Sequence, residues 1–128
     1  MGNYVYFNPN PYGRRVGDCS VRALSKALNQ EWFKTYVEMS VYGLINGDMP
    51  NSNAVWGNYL HEKGFTKHIV PDACPDCYTL ADFCNEHPEG LFVVALSNHV
   101  VTVHNGKFFD TWDSGNEIPL YYWRKENK

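Results

Sequence analysis

One cysteine in this chain stands where a reactive thiol would. Cys19 follows Gly17-Asp18 and opens a segment with Val21, Leu24 and Leu28 at the i, i+3, i+7 spacing of an amphipathic helix. Its place is the first helical turn, where orphan N–H groups and the helix dipole favour a thiolate. Arg22, one turn on, and Arg14-Arg15 add favourable charge, while Asp18 opposes it. A cysteine serving only the core would sit within the apolar stripe rather than at its mouth.

A base and a carboxylate lie far along the chain. Asn105-Gly106 is the strongest short hairpin signal a sequence carries and favours a type I′ turn. A two-residue loop sets His104 opposite Lys107, Val103 opposite Phe108, Val101 opposite Asp110 and His99 opposite Trp112. Side chains alternate along a strand, so His99 and Asp110 fall diagonally on one face. His104 and Asp113 have the wrong parity. A carboxylate beside an imidazole fixes its tautomer and stabilises the imidazolium. Cys19, His99 and Asp110 thus supply nucleophile, base and orienting group.

The elements that must position them follow from composition and punctuation. The 128 residues form one expected domain, 1–128, with 44% hydrophobic, 16% aromatic and 20% charged side chains. A net charge of −3 argues against nucleic acid and against an anionic membrane. The longest apolar run, Leu91 to Leu96, is far too short to span a bilayer. No signal peptide is expected at the polar, aromatic start, and Tyr6 sits where a myristoylation signal after Gly2 wants Ser or Thr. The expected location is cytoplasmic, with the four cysteines reduced.

The turn-rich first 17 residues predict an extended arm. Helices are expected from the Asp18 cap to Asn29, from Glu31 to Leu44, from the Asn53 cap to Gly64, and over Thr79–Glu86, where Asp82 completes a capping box. Trp32, Tyr36, Trp56 and Tyr59 are expected in the core. Phe65–Val70 is a candidate short strand. After Pro88-Glu89-Gly90 come strands at Leu91–Leu96, His99–His104, Lys107–Trp112 and Ile118–Trp123. Helices first and an antiparallel sheet second is an α+β layout.

This arrangement resembles the papain-like cysteine peptidase superfamily. A cysteine opens the first helix, and a later histidine strand pairs with a strand carrying an acid or amide. Asp110-Thr111-Trp112 is similar to the Asn-Ser-Trp of those enzymes, which implies that Trp112 shields the bond between His99 and Asp110. The wider pattern is Gly17-Asp18-Cys19-Ser20-Val21-Arg22-Ala23-Leu24, then Glu86-His87-Pro88-Glu89-Gly90, then His99-Val100-Val101. It resembles small uncharacterised papain-like proteins of phage and bacterial genomes, distantly akin to bacteriocin-processing peptidases. The family's upstream oxyanion glutamine falls at Gly13 here, and the Trp that often follows the papain cysteine is absent. Asn10 and Asn8 are the nearest upstream amides, and Asn10 is the expected oxyanion donor beside the Cys19 N–H.

The resemblance implies a papain-like fold, N-terminal helices packed on a C-terminal antiparallel sheet. It implies a cysteine hydrolase, a peptidase or isopeptidase, acting on a peptide or protein through an acyl-thioester without a cofactor. Two alternatives stand beside it: a transglutaminase or acyltransferase on the same triad, and a non-catalytic papain-fold phage accessory protein that binds a host or viral partner. The other cysteines form Cys74-x2-Cys77-x6-Cys84-x2-His87, a spacing with metal-ligand character. The central gap is tight for a zinc ribbon and Cys84 occupies an apolar slot. A loop pair and one buried cysteine are therefore expected, and no metal.

Overall fold

The structure, a computed structural model, describes residues 2–70 and 78–126. Its elements in chain order are β1 (Tyr4–Tyr6), α1 (Cys19–Leu28), α2 (Trp32–Asn46), α3 (Asn53–Glu62), β2 (Phe65–Ile69), α4 (Leu80–Glu86), β3 (Leu91–Leu96), β4 (His99–His104), β5 (Lys107–Asp110) and β6 (Tyr121–Lys125). The architecture is mixed α+β: among the described residues, four helices lie on a six-stranded sheet of order β1-β5-β4-β3-β6-β2.

Local chemistry sets most of these boundaries. α1 ends at Asn29, which takes the left-handed conformation (φ 53°) that lets a helix close on its last carbonyls. α2 runs two residues past Leu44 and stops at Gly47, also left-handed. Ser52, rather than Asn53, caps α3, because the Ser52 hydroxyl accepts the Val55 N–H. α4 carries the full capping box: Thr79 Oγ1 accepts the Asp82 N–H, and the Asp82 carboxylate accepts the Thr79 N–H. Between β4 and β5, Asn105 (φ 51°) and Gly106 (φ 79°) both take positive φ, the conformation of a type I′ turn.

The two faces of the sheet carry separate cores. Val93, Ala95 and Val100 pack under α1, α2 and α3 with Leu24, Met39, Trp56, Tyr59 and Leu60. Val94, Val101, Val103 and Phe108 face α4 through Leu80, Phe83 and Cys84. Thr102, fully buried, donates to the Ala23 carbonyl and pins α1 over β4.

Four expectations are corrected. The sheet is mixed rather than antiparallel, because the arm contains β1, which pairs in parallel with β5. β5 stops at Asp110 instead of Trp112: the Asp110 carboxylate accepts the Thr111 N–H, and the chain turns out of the ladder there. β6 begins at Tyr121, beyond Pro119, whose missing N–H cannot join a ladder. Tyr36 is half exposed at the surface, whereas Trp56 and Tyr59 are in the core as expected.

Candidate active site

The observed ladder carries the pairings Val103–Phe108 and His104–Lys107, so the short turn sets the register. His99 begins β4 and Asp110 ends β5, and alternation brings them together. His99 Nε2 donates to Asp110 Oδ2 at 2.7 Å. With Nε2 engaged by the carboxylate, Nδ1 is the ring nitrogen left for Cys19, which lines the same cavity and whose titration is tied to that of His99. Trp112 lies on the bend past β5, its ring centroid 5.2 Å from that of His99, and covers one side of the imidazole while staying 41% exposed. The structure therefore joins Cys19, His99, Asp110 and Trp112 in one cluster.

The electrostatics favour an ion pair. Burial opposes the Cys19 thiolate and is the largest single influence on it. The neighbouring His99 and its charge, the Val100 backbone N–H and the Arg22 charge together outweigh burial, leaving the thiol below its ordinary pKa. Burial likewise works against the His99 imidazolium, but the hydrogen bond to Asp110 and the neighbouring Cys19 thiolate raise its pKa to about 9. Asp110 is fully buried, yet hydrogen bonds from His99, Ser114 and the Thr111 N–H hold it below the usual carboxylate range.

Beneath the triad lies a buried chain of charges. The Arg22 guanidinium donates through Nη2 to Asp110 Oδ1 at 2.9 Å and through Nη1 to Asp18 Oδ1 at 2.6 Å. Trp32 Nε1 donates to the other Asp18 oxygen at 2.8 Å, and Ser114 Oγ to Asp110 Oδ2 at 2.6 Å. Asp18 occupies the N-cap position of α1 but makes no side-chain cap, because both its oxygens are turned to Arg22 and Trp32. Three amides at the start of α1, those of Cys19, Ser20 and Val21, precede the first intrahelical bond, Arg22 N–H to Asp18 C=O. No side chain caps that end of the helix.

A cavity of about 450 Å³ opens beside Cys19 and His99. Trp56, Leu96, Leu120 and Tyr121 form its apolar wall; Ser20, Asn51, Asn53 and Asn98 supply polar groups. Asn53 Oδ1 accepts the Trp56 Nε1–H at 3.0 Å, which leaves the Asn53 NH2 group as its donor.

Asn10 does not belong to this cavity. Its Oδ1 accepts the N–H groups of Tyr12 and Arg14, folding its own turn, and the residues around the cavity begin at Gly17. Gly13 offers no side chain. Arg15, expected to favour the thiolate, is turned instead to the Thr111 carbonyl at 2.9 Å. The charge chain has no signature in the sequence as a unit. The Asp18–Arg22 spacing of i, i+4 was its one sequence signal, and nothing local marks Ser114 or Asn53.

Cys74 and Cys77 lie outside the described residues. Cys84 is in the core, where burial pushes its thiol up to about 12, and His87 Nδ1 bonds the Phe83 carbonyl while the ring stacks on Phe83. Among the described residues no group of three or more His, Cys, Asp or Glu is placed to hold a metal, and no helix is long and apolar enough to cross a membrane. Compared with known proteins, the chain gives no significant match to a family model, a curated protein or a solved structure.

Proposed function

We propose that the chain is a papain-like cysteine hydrolase acting on a peptide or isopeptide carbonyl. The observation that carries this is the bonded pair His99–Asp110 with Cys19 beside it on one cavity, and the helix α1 amides uncapped at the thiol. In the proposed reaction the Cys19 thiolate attacks the carbonyl carbon. The negative charge moves to the carbonyl oxygen, held by the Cys19 N–H and a second donor, for which Asn53 replaces Asn10. The His99 imidazolium gives its Nδ1 proton to the leaving amine, and the C–N bond breaks to leave an acyl-thioester. Neutral His99 then takes a proton from water, which attacks the thioester, frees a carboxylate and restores the thiol. Asp110 holds the ring in place and balances its charge throughout.

A binding module without catalysis has no physical need for a thiol beside a bonded imidazole and carboxylate, so the hydrolase is preferred to that alternative. An amine in place of water would turn the same thioester into a transferase product. The test is intact-mass analysis with peptidyl electrophiles bearing a carbonyl warhead. Stoichiometric labelling at Cys19 that is lost in His99→Ala is expected. Labelling spread over the cysteines, or indifferent to His99→Ala, would refute the hydrolase. Supplying amines alongside peptide substrates separates hydrolysis from transfer by product mass.

A further inference from the structure

Away from the candidate site, the outer face of α2 is left exposed by the described residues. Thr35, Met39 and Gly43 turn inward. Two positions out of phase with them runs Phe33, Val37, Val41 and Ile45, an unbroken i, i+4 ridge that is 64%, 50%, 46% and 77% exposed. Leu44 on the same face is 81% exposed, and Met49, just past the helix, 67%. Lys34 is the one formal charge on this face, and its stem can lie along apolar surface with the ammonium at the rim. Side chains this exposed leave on the order of 100 Å² each in water. The six together reach the top of the ~300–600 Å² of a typical monomer's largest apolar patch, and the ~600 Å² per partner at the lower end of a standard interface.

We infer that the α2 ridge is a self-association surface whose partner is a second copy of this chain, packed antiparallel about a two-fold axis. The ridge is self-complementary. Turned end for end about the level of Met39, Phe33 meets Ile45 of the other copy and Val37 meets Val41. Packing of i±4 ridges against one another is the commonest helix–helix geometry. No carboxylate lies on the ridge, so pairing strips water from no acid. The active-site cavity draws no residue from α2, which leaves it open in the pair.

Sedimentation of the full chain over a concentration series tests this. Mass should climb from 14.7 kDa toward twice that value. Added salt should strengthen the association, since two copies of charge −3 repel while the contact is apolar. Val41→Glu should hold the chain at monomer mass with an unchanged circular dichroism spectrum, because Val41 is half exposed. Ile69→Glu, equally apolar-to-charged but on β2, should not. Mixed Val37→Cys and Val41→Cys chains should form a 37–41 intermolecular disulfide, located by mass spectrometry. A wild-type monomer at every concentration would overturn the inference, as would equal effects of Val41→Glu and Ile69→Glu. Intermolecular 37–37 and 41–41 bridges without 37–41 would overturn the antiparallel arrangement.

Discussion

Arg22 holds the most consequential position that does not itself touch the thiol–imidazole pair by hydrogen bond. It is 4% exposed and lies between two carboxylates, so its charge is balanced and its place on α1 ties the helix of Cys19 to the hairpin that carries His99 and Asp110. Arg22→Met leaves Asp18 and Asp110 buried without their cation, and a loss of about 3–5 kcal/mol in denaturant unfolding is expected. Asp110→Asn preserves shape but removes the charge that favours the His99 imidazolium. The thiolate–imidazolium pair should weaken, and if the chain turns over peptides that rate should fall, although an amide at this place still orients the ring. Asn53→Ala should lower turnover by roughly 10²–10³, the usual worth of one oxyanion donor. Asn10→Ala should leave the rate per folded molecule unchanged. At this scale the triad was legible because alternation about one turn relates His99 and Asp110, and Cys19 marks a helix start. The Arg22–Asp110 bond spans 88 residues, and no spacing rule reaches that far.

The elements were legible where their signals are local. Asp18 and Asn29 frame α1, Asn46-Gly47 ends α2, and Thr79 with Asp82 opens α4; each cap acts on backbone within its own turn. β1 was not legible. Three residues, Tyr4–Tyr6, carry no pattern, and their strand exists only because β5 offers an edge, with the Phe7 N–H reaching the Asp110 carbonyl and the Phe108 N–H the Asn3 carbonyl. The apolar residues of α2 were readable as a helix, but not the fact that Tyr36 and Val37 face water. The hairpin turn is the element on which the site depends. Gly106→Val places a branched residue at φ 79°, and a loss of about 1–3 kcal/mol is expected in thermal or denaturant unfolding. Thr79→Ala should cost about 1 kcal/mol through the cap alone and leave Cys19 reactivity untouched.

For the molecule as a whole, the site couples folding to pH. The His99 pKa rises from 6.5 to about 9 on folding, so its stabilisation is complete below pH 6.5 and fades as pH climbs through 9. Asp110 is depressed, so its share is present above its ordinary 3.8 and is lost as acid protonates it. Cys19, depressed as a thiolate, works against His99 on the alkaline side. Removing the thiol isolates the imidazole: in Cys19→Ala, melting temperature should fall as pH rises above 6.5, and His99→Gln should flatten that fall. A melting temperature of Cys19→Ala that is level across this range would contradict the bonded His99–Asp110 pair.

The central claim is a thiolate held by an imidazolium, and the alkylation rate of Cys19 against pH measures it directly. Iodoacetamide modification, followed at Cys19 by peptide mass, should persist well below the ~8.5 of a free thiol. In His99→Ala the profile should move up to that of an ordinary buried thiol. Identical, ordinary thiol titrations in the native chain and in His99→Ala would contradict the account.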